Sequence, residues 1–179
     1  MNRLFTWVST NDVQLIQYVN LQLRCRLLDS TLTKVTHLGG ATFTLASLFL
    51  LLLIAPAPIK GWSFQALLSL TLSHIAVHVI KKIYCRERPY KKLANILVPP
   101  NPLEDYSFPS GHTTAAFSVA VVFALHSFLL AAILLPLASI IGFSRMYLGL
   151  HYPTDCIIGA FLGTLSSFMI VYLATIVSL

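Results

Sequence analysis

The sequence predicts an all-α fold, a polytopic bundle of five transmembrane helices preceded by a helix lying along the membrane surface. Three observations predict it. Of 179 residues, 56% are hydrophobic and only 10% charged, far below the roughly 25% charged residues of an ordinary soluble domain. Several apolar stretches approach the roughly 20 residues needed to cross a hydrocarbon core of about 30 Å. The longest, 113–143, overshoots one crossing at about 1.5 Å of rise per residue and must turn back.

Taken in order, residues 1–30 form the interfacial helix. Leu15, Val19, Leu23 and Leu27 make an i, i+4 stripe with Ile16 beside it, while Asp12, Gln17, Asn20 and Arg24 lie elsewhere around the helix. A sixth, imperfect span is the alternative, with Arg24 and Arg26 snorkelling near its end. No cleavable signal peptide is expected, because polar residues interrupt MNRLFTWVSTND before an apolar core develops. The first span runs from Leu38 to Ala57, ending at Pro56-Ala57-Pro58. The second runs from Trp62 to Ile80, with Lys60 and Trp62 as interfacial anchors. Residues 81–111 form the long polar connection, of a length usually tied to function. The apolar run breaks at His126-Ser127 into one helix from Ser110 to Leu125 and another from Phe128 to Tyr147, kinked at Pro136. A last span occupies Pro153 to Leu179.

The whole of 1–179 reads as one integral-membrane domain, with the chemistry in 81–155. The three cysteines, Cys25, Cys85 and Cys156, have no metal-ligand spacing and read as buried or loop thiols, with a Cys25–Cys85 bridge left open. His74 and His78, four apart, could bind a metal but have no third ligand nearby. They read as polar groups lining the bundle interior. His37 and His126 read as boundary residues.

With five spans, Lys81, Arg88, Ser110, His112, Arg145, His151 and Asp155 all fall on one face. Ionisable groups at membrane boundaries are costly and usually mark a site. Singly, each has an ordinary reading: Lys81 and Arg88 as interfacial anchors, His112 as a helix cap, Arg145 as a snorkelling cation. Together they form an ordered set: Lys81, six residues, Arg88-Pro89; Pro109-Ser110-Gly111-His112; Ser144-Arg145, five residues, His151, three residues, Asp155.

The segments KKIYCRERP, PSGH and SRMYLGLHYPTD resemble the three signature motifs of the type 2 phosphatidic acid phosphatase superfamily, in order and at the family spacing. The resemblance covers 81–155 directly and implies a membrane phosphatase acting on a lipid phosphate or diphosphate. Small bacterial members act on undecaprenyl diphosphate or phosphatidylglycerophosphate. It also implies phosphate binding by Lys81, Arg88, Ser110, Gly111 and Arg145, and a reaction needing no metal and no other cofactor. The expected partners are an anionic lipid phosphate and membrane lipids, with no nucleic acid.

Phosphate-ester hydrolysis is among the slowest uncatalysed reactions, and an enzyme supplies its rate mainly by positioning and charge stabilisation. Lys81, Arg88 and Arg145 provide three cations, the arginines able to grip two oxygens each. The first amides of the helix opened by Pro109-Ser110-Gly111, with the Ser110 hydroxyl, can face a phosphate oxygen, and Gly111 allows close approach. His112 is placed to protonate the leaving oxygen. His151 would attack phosphorus to give a phosphohistidine, and Asp155 would orient it. A lipid binder or transporter would need the cations but has no use for two such histidines.

Of the twelve Lys and Arg residues, all but Lys60 fall on the face that carries the site. The positive-inside rule turns that face to the cytoplasm; the resemblance turns it outward. A phosphate site is basic for reasons unrelated to insertion, so the cell membrane with an extracytoplasmic site is the expectation.

Overall fold

The computed structural model describes residues 3–177, all of whose regular structure is helical. Helix α1 (Arg3–Gln17) runs into a π-helical turn (Tyr18–Gln22) and stops at residues 23–25. Helix α2 (Arg26–Val35) leads through a 3-10 turn (Thr36–Gly39) into α3 (Ala41–Ile54), with a bend of 57° at the junction. Pro56 separates α3 from α4 (Ala57–Tyr84), which ends at Cys85 in the left-handed conformation, φ 45°. The one-turn α5 (Pro89–Lys92) interrupts an irregular loop. Then come α6 (Gly111–His126), α7 (Phe128–Tyr147) and α8 (Pro153–Val177).

Helix α6 is the central post, packed against α4, α7 and α8. Its contact with α8 is close because α8 presents two glycines four apart, the small-xxx-small arrangement of membrane helix pairs. A Cβ at Gly163 would lie 2.5 Å from the Thr114 carbonyl oxygen, and one at Gly159 2.7 Å from that of Ser110. Buried hydroxyls join α4, α6 and α8: Ser73 to Ser118 at 2.8 Å, Ser69 to Ser167 at 3.0 Å, and Ser167 to the Ser118 carbonyl at 2.9 Å. The turn from α6 to α7 falls at His126-Ser127 as expected. Ser127 ends α6 and caps α7, its hydroxyl accepting from the Leu130 amide. Pro136 sits inside α7 without ending it.

The expectations are met in part. By length and composition, α4, α7 and α8 can each cross a membrane, and α2 with α3 qualifies only as a bent pair. Helix α6, at 16 residues, is shorter than a full span. The expected first span is therefore not one straight helix, because the chain breaks at Gly39-Gly40 to pass beneath His112. In the N-terminal segment the expected apolar stripe is split: Val19 and the neighbouring Ile16 are buried in the protein with Asp12 and Asn20, while Leu15 and Leu27 are 50% and 71% exposed. The reason is polar. Asn20 donates to the carbonyls of Leu97 (2.9 Å) and Tyr147 (2.7 Å) and accepts from the Leu97 amide (2.8 Å). Trp62 packs inward, stacked on His126 at 5.0 Å, and His126 bonds Gln65 at 2.7 Å. His78 is exposed, and the half-buried His74 bonds the Leu70 carbonyl of its own helix. Cys25 and Cys85 are unbridged.

Candidate active site

The site is assembled where α4 ends, α6 and α8 begin and α7 finishes. Main chain joins two of these ends directly, the Ser110 amide donating to the Asp155 carbonyl at 3.0 Å. After α7 the chain reverses through Gly149, at φ +69°. A Cβ there would also lie 2.5 Å from Ile96 Cγ2, so both conformation and space require glycine. The reversal lets the Leu150 and His151 amides donate to the Arg145 carbonyl (3.0 and 3.2 Å), fixing the histidine beside that arginine.

His151 is buried between an acid and a cation. Its Nδ1 faces Asp155 Oδ2 at 3.6 Å and the Ser107 hydroxyl at 3.4 Å. Its Nε2 lies 3.2 Å from Arg88 Nη1. Arginine has no acceptor, so Nε2 accepts and is unprotonated, leaving the ring proton on Nδ1 toward the carboxylate. Burial pushes this imidazole down to about 3; Asp155 pulls the other way, while Arg88 and Arg145 add to the fall. A neutral ring with its Nε2 lone pair turned toward the cations is the form a nucleophile needs.

Arg88 is 1% exposed and Arg145 3%, but their donors are used differently. Arg88 gives Nε to the Asp105 carbonyl (2.7 Å), Nη2 to Asp105 Oδ1 (2.5 Å) and Nη1 to the Leu150 carbonyl (2.9 Å). Arg145 gives Nη1 to Thr36 Oγ1 (2.7 Å), while its Nε and Nη2 are buried with no partner among the described residues. Lys81 donates to Asp105 Oδ2 (2.5 Å) and the Tyr106 carbonyl (2.6 Å). Burial resists ionisation of Asp105, but the bond from Lys81 and the charges of Arg88 and Lys81 outweigh it and hold the carboxyl at about 2.

Ser110 caps α6, accepting from the Thr113 amide and hydroxyl at 3.5 and 2.9 Å. A Cβ built at Gly111 meets nothing within 4 Å, so packing does not demand this glycine; the space beside it is open. The half-buried His112 lies within electrostatic reach of Arg145, His151, Arg88 and His37.

All eight residues singled out in the sequence thus come to one end of the bundle. Six more polar residues belong to the same network: Asp12, Thr36, Arg86, Asp105, Ser107 and Thr154. Arg86 lies inside the first motif, and Asp105 just ahead of the second, so position pointed to both. Asp12 and Thr36 lie in segments without a motif. Among the described residues, no group of three or more His, Cys, Asp and Glu is placed to hold a metal ion. Beside the site, an apolar cavity of about 360 Å³ opens between α3, α6 and α7, with Leu38, Leu134 and Ile141 in its wall.

The family model described as PAP2 superfamily matches residues 62–177, well over half of the chain. Phosphatidylglycerophosphatase B of Bacillus subtilis is 29% identical over 183 residues, covering 91% of this chain and 85% of that protein. An undecaprenyl-diphosphatase of Sulfolobus acidocaldarius is 33% identical over 107 residues, covering 57% of this chain and 50% of that one. The chain spans about half the length of several curated relatives it matches. The crystal structure of Aquifex aeolicus LpxE resembles it with a TM-score of 0.79 at 28% identity, over 89% of this chain and 94% of that one.

Proposed function

Because the chain belongs to the PAP2 superfamily, we propose that it is an integral membrane phosphatase removing the terminal phosphate of a lipid phosphate or diphosphate through a phosphohistidine. One observation carries the reading. The buried Arg145 leaves Nε and Nη2 unpaired, a costly state unless an anion with several acceptor oxygens completes it. A phosphoryl group supplies those oxygens.

In the reaction, Arg145, Lys81 and Arg88 offset the charge on the phosphoryl oxygens. The Ser110 hydroxyl and the first amides of α6 face them beside the open space at Gly111. His151 Nε2 attacks phosphorus, and as the new P–N bond forms the P–O bond to the lipid breaks. The departing oxygen takes a proton from His112, while Asp155 keeps the Nδ1 proton of His151 in place. Water then attacks the phosphohistidine and gives a proton to His112 as the P–N bond breaks, so inorganic phosphate leaves with both histidines restored.

The apolar cavity beside the site suits a lipid tail, which favours undecaprenyl diphosphate or phosphatidylglycerophosphate as the substrate class, in line with the relatives' names. We place the protein in the cell membrane with the site on the extracytoplasmic face, α3, α4, α6, α7 and α8 crossing and α1 and α2 at the site's level. No metal takes part.

The test is phosphate release from a panel of lipid phosphates and diphosphates, with the phosphoenzyme trapped by acid quench. A labelled intermediate is expected in the wild type, none in His151→Ala, and turnover should survive EDTA. Activity lost to EDTA and regained with magnesium would refute the metal-free step. Headgroup binding without release would make the protein a carrier.

A further inference from the structure

The two oxygens of Asp155 are held from different sides. Oδ2 accepts from the Ser107 hydroxyl (2.5 Å) and the Tyr152 amide (2.8 Å), the latter being the reach-back of a helix's third residue to its cap. Oδ1 accepts from Arg86 Nη1 at 2.7 Å. The same guanidinium donates Nη2 to Asp12 Oδ2 (2.7 Å) and Nη1 to Thr154 Oγ1 (2.8 Å), and lies over the Tyr152 ring at 4.0 Å. Asp12 in turn accepts from the Thr154 amide (3.0 Å) and the Thr154 hydroxyl. It thereby satisfies an amide that the first turn of α8 leaves without an intrahelical partner. One arginine thus stands between two carboxylates that are 3% and 0% exposed.

We propose that Arg86, anchored by Asp12 of α1, is a positioning residue for phosphoryl transfer: it fixes Asp155 Oδ1 so that Oδ2 is turned toward His151 Nδ1. This rests on the phosphatase reading above. Two buried acids this close need a shared cation, and removing it leaves charge without compensation. A carboxylate held on one edge only by Ser107 and Tyr152 is free to rotate about its side-chain bonds, and the His151 ring loses its orientation with it. Neither Arg86 nor Asp12 bonds to Lys81, Arg88 or Arg145, so phosphate binding is separable from positioning. Helix α1 is on this view part of the catalytic frame, joined to α8 through one guanidinium.

The experiment uses the full chain in detergent with p-nitrophenyl phosphate, comparing wild type, Arg86→Gln, Arg86→Lys, Asp12→Asn, Asp155→Asn and the double variant Arg86→Gln/Asp155→Asn. Arg86→Gln should lower kcat by on the order of 100-fold, as misplacing a reacting group by about 1 Å does. KM and inhibition by inorganic phosphate should stay within about twofold. Arg86→Lys, which can reach one carboxylate but not both, should fall between Arg86→Gln and wild type. The double variant should be no slower than Asp155→Asn alone, because the arginine acts through that aspartate. Losses that multiply, a loss appearing in KM or phosphate affinity, or an unchanged kcat would each overturn the proposal. If Arg86→Gln does not elute as a folded species, Asp12→Asn and Arg86→Lys carry the same comparison against Asp155→Asn. A wild type that turns over neither p-nitrophenyl phosphate nor any member of the lipid panel would instead sink the phosphatase reading, and with it any reaction for Arg86 to serve.

Discussion

Arg88 gives three nitrogens to main-chain or side-chain oxygens and one of these also to His151, whereas Arg145 is held only through Thr36. On the proposed function, that contrast separates a cation that shapes the histidine from one left to meet the phosphoryl group. The two histidines should separate as clearly. If His112 protonates the departing oxygen, His112→Ala should lose about 100-fold to 10,000-fold on a lipid phosphate, whose leaving group is an alkoxide. It should lose much less on p-nitrophenyl phosphate, whose leaving group departs unaided. His151→Ala should show no such rescue; the ratio of mutant to wild-type kcat/KM on each substrate decides it, and a rescue there would exchange the roles. His151 also sets a pH dependence of stability. Its ring titrates at about 3 instead of 6.5, so below about 6.5 the unfolded chain binds a proton that the folded one refuses. The stability tied to the neutral ring is complete above that value and drains as pH falls toward about 3. Thermal unfolding in detergent should therefore show wild type losing more Tm than His151→Gln between about pH 7 and pH 5. Equal slopes would remove His151 as the source.

Between helices the decisive contact is α6 on α8. Gly163→Ala would push a methyl group into the Thr114 carbonyl and the Ser118 amide, 2.5 and 2.8 Å away, where the backbone cannot yield. A loss of about 1–3 kcal/mol is expected for such overpacking. Gly61→Ala in α4, where an added Cβ meets nothing within 4 Å, should gain about 0.5–1 kcal/mol from helix propensity. Denaturation of both in the same detergent checks the pair, and a stabilised Gly163→Ala would mean that the helices can part. What the sequence makes legible at this scale is periodic or charged. The turn at His126-Ser127 follows from an apolar run too long for one crossing, and the eight site residues from polar groups at fixed spacing. What stays hidden depends on partners distant along the chain: Asp12 meets Thr154 and Arg86, Thr36 meets Arg145, and no local pattern announces either pair. The burial of Asn20 stays hidden for the same reason, since its bonding partners, Leu97 and Tyr147, lie far along the chain.

Over the whole molecule, the arrangement of cations and helices sets a question of sidedness. Lys60 lies at the start of α4 and Lys81 at its end, and with five spans the remaining basic residues share the end that holds the site. In a background lacking Cys25, Cys85 and Cys156, Asn101→Cys on the exposed part of the 93–110 loop should react with an impermeant thiol reagent added to intact cells. Labelling only after the membrane is opened would turn the site to the cytoplasm and make the charge excess an ordinary case of the positive-inside rule.

The bond from the Ser110 amide to the Asp155 carbonyl has a bearing on ancestry and divergence. It spans the two halves of the reaction, the cradle opening α6 and the acid opening α8, using atoms that every residue except proline carries. Short of proline at position 110, no substitution at either residue removes the atoms of this joint, so the spacing between the two helix starts is set by the backbone. On the proposed function, the wall of the apolar cavity can then be substituted to suit a different tail while the distance between cradle and acid stays put.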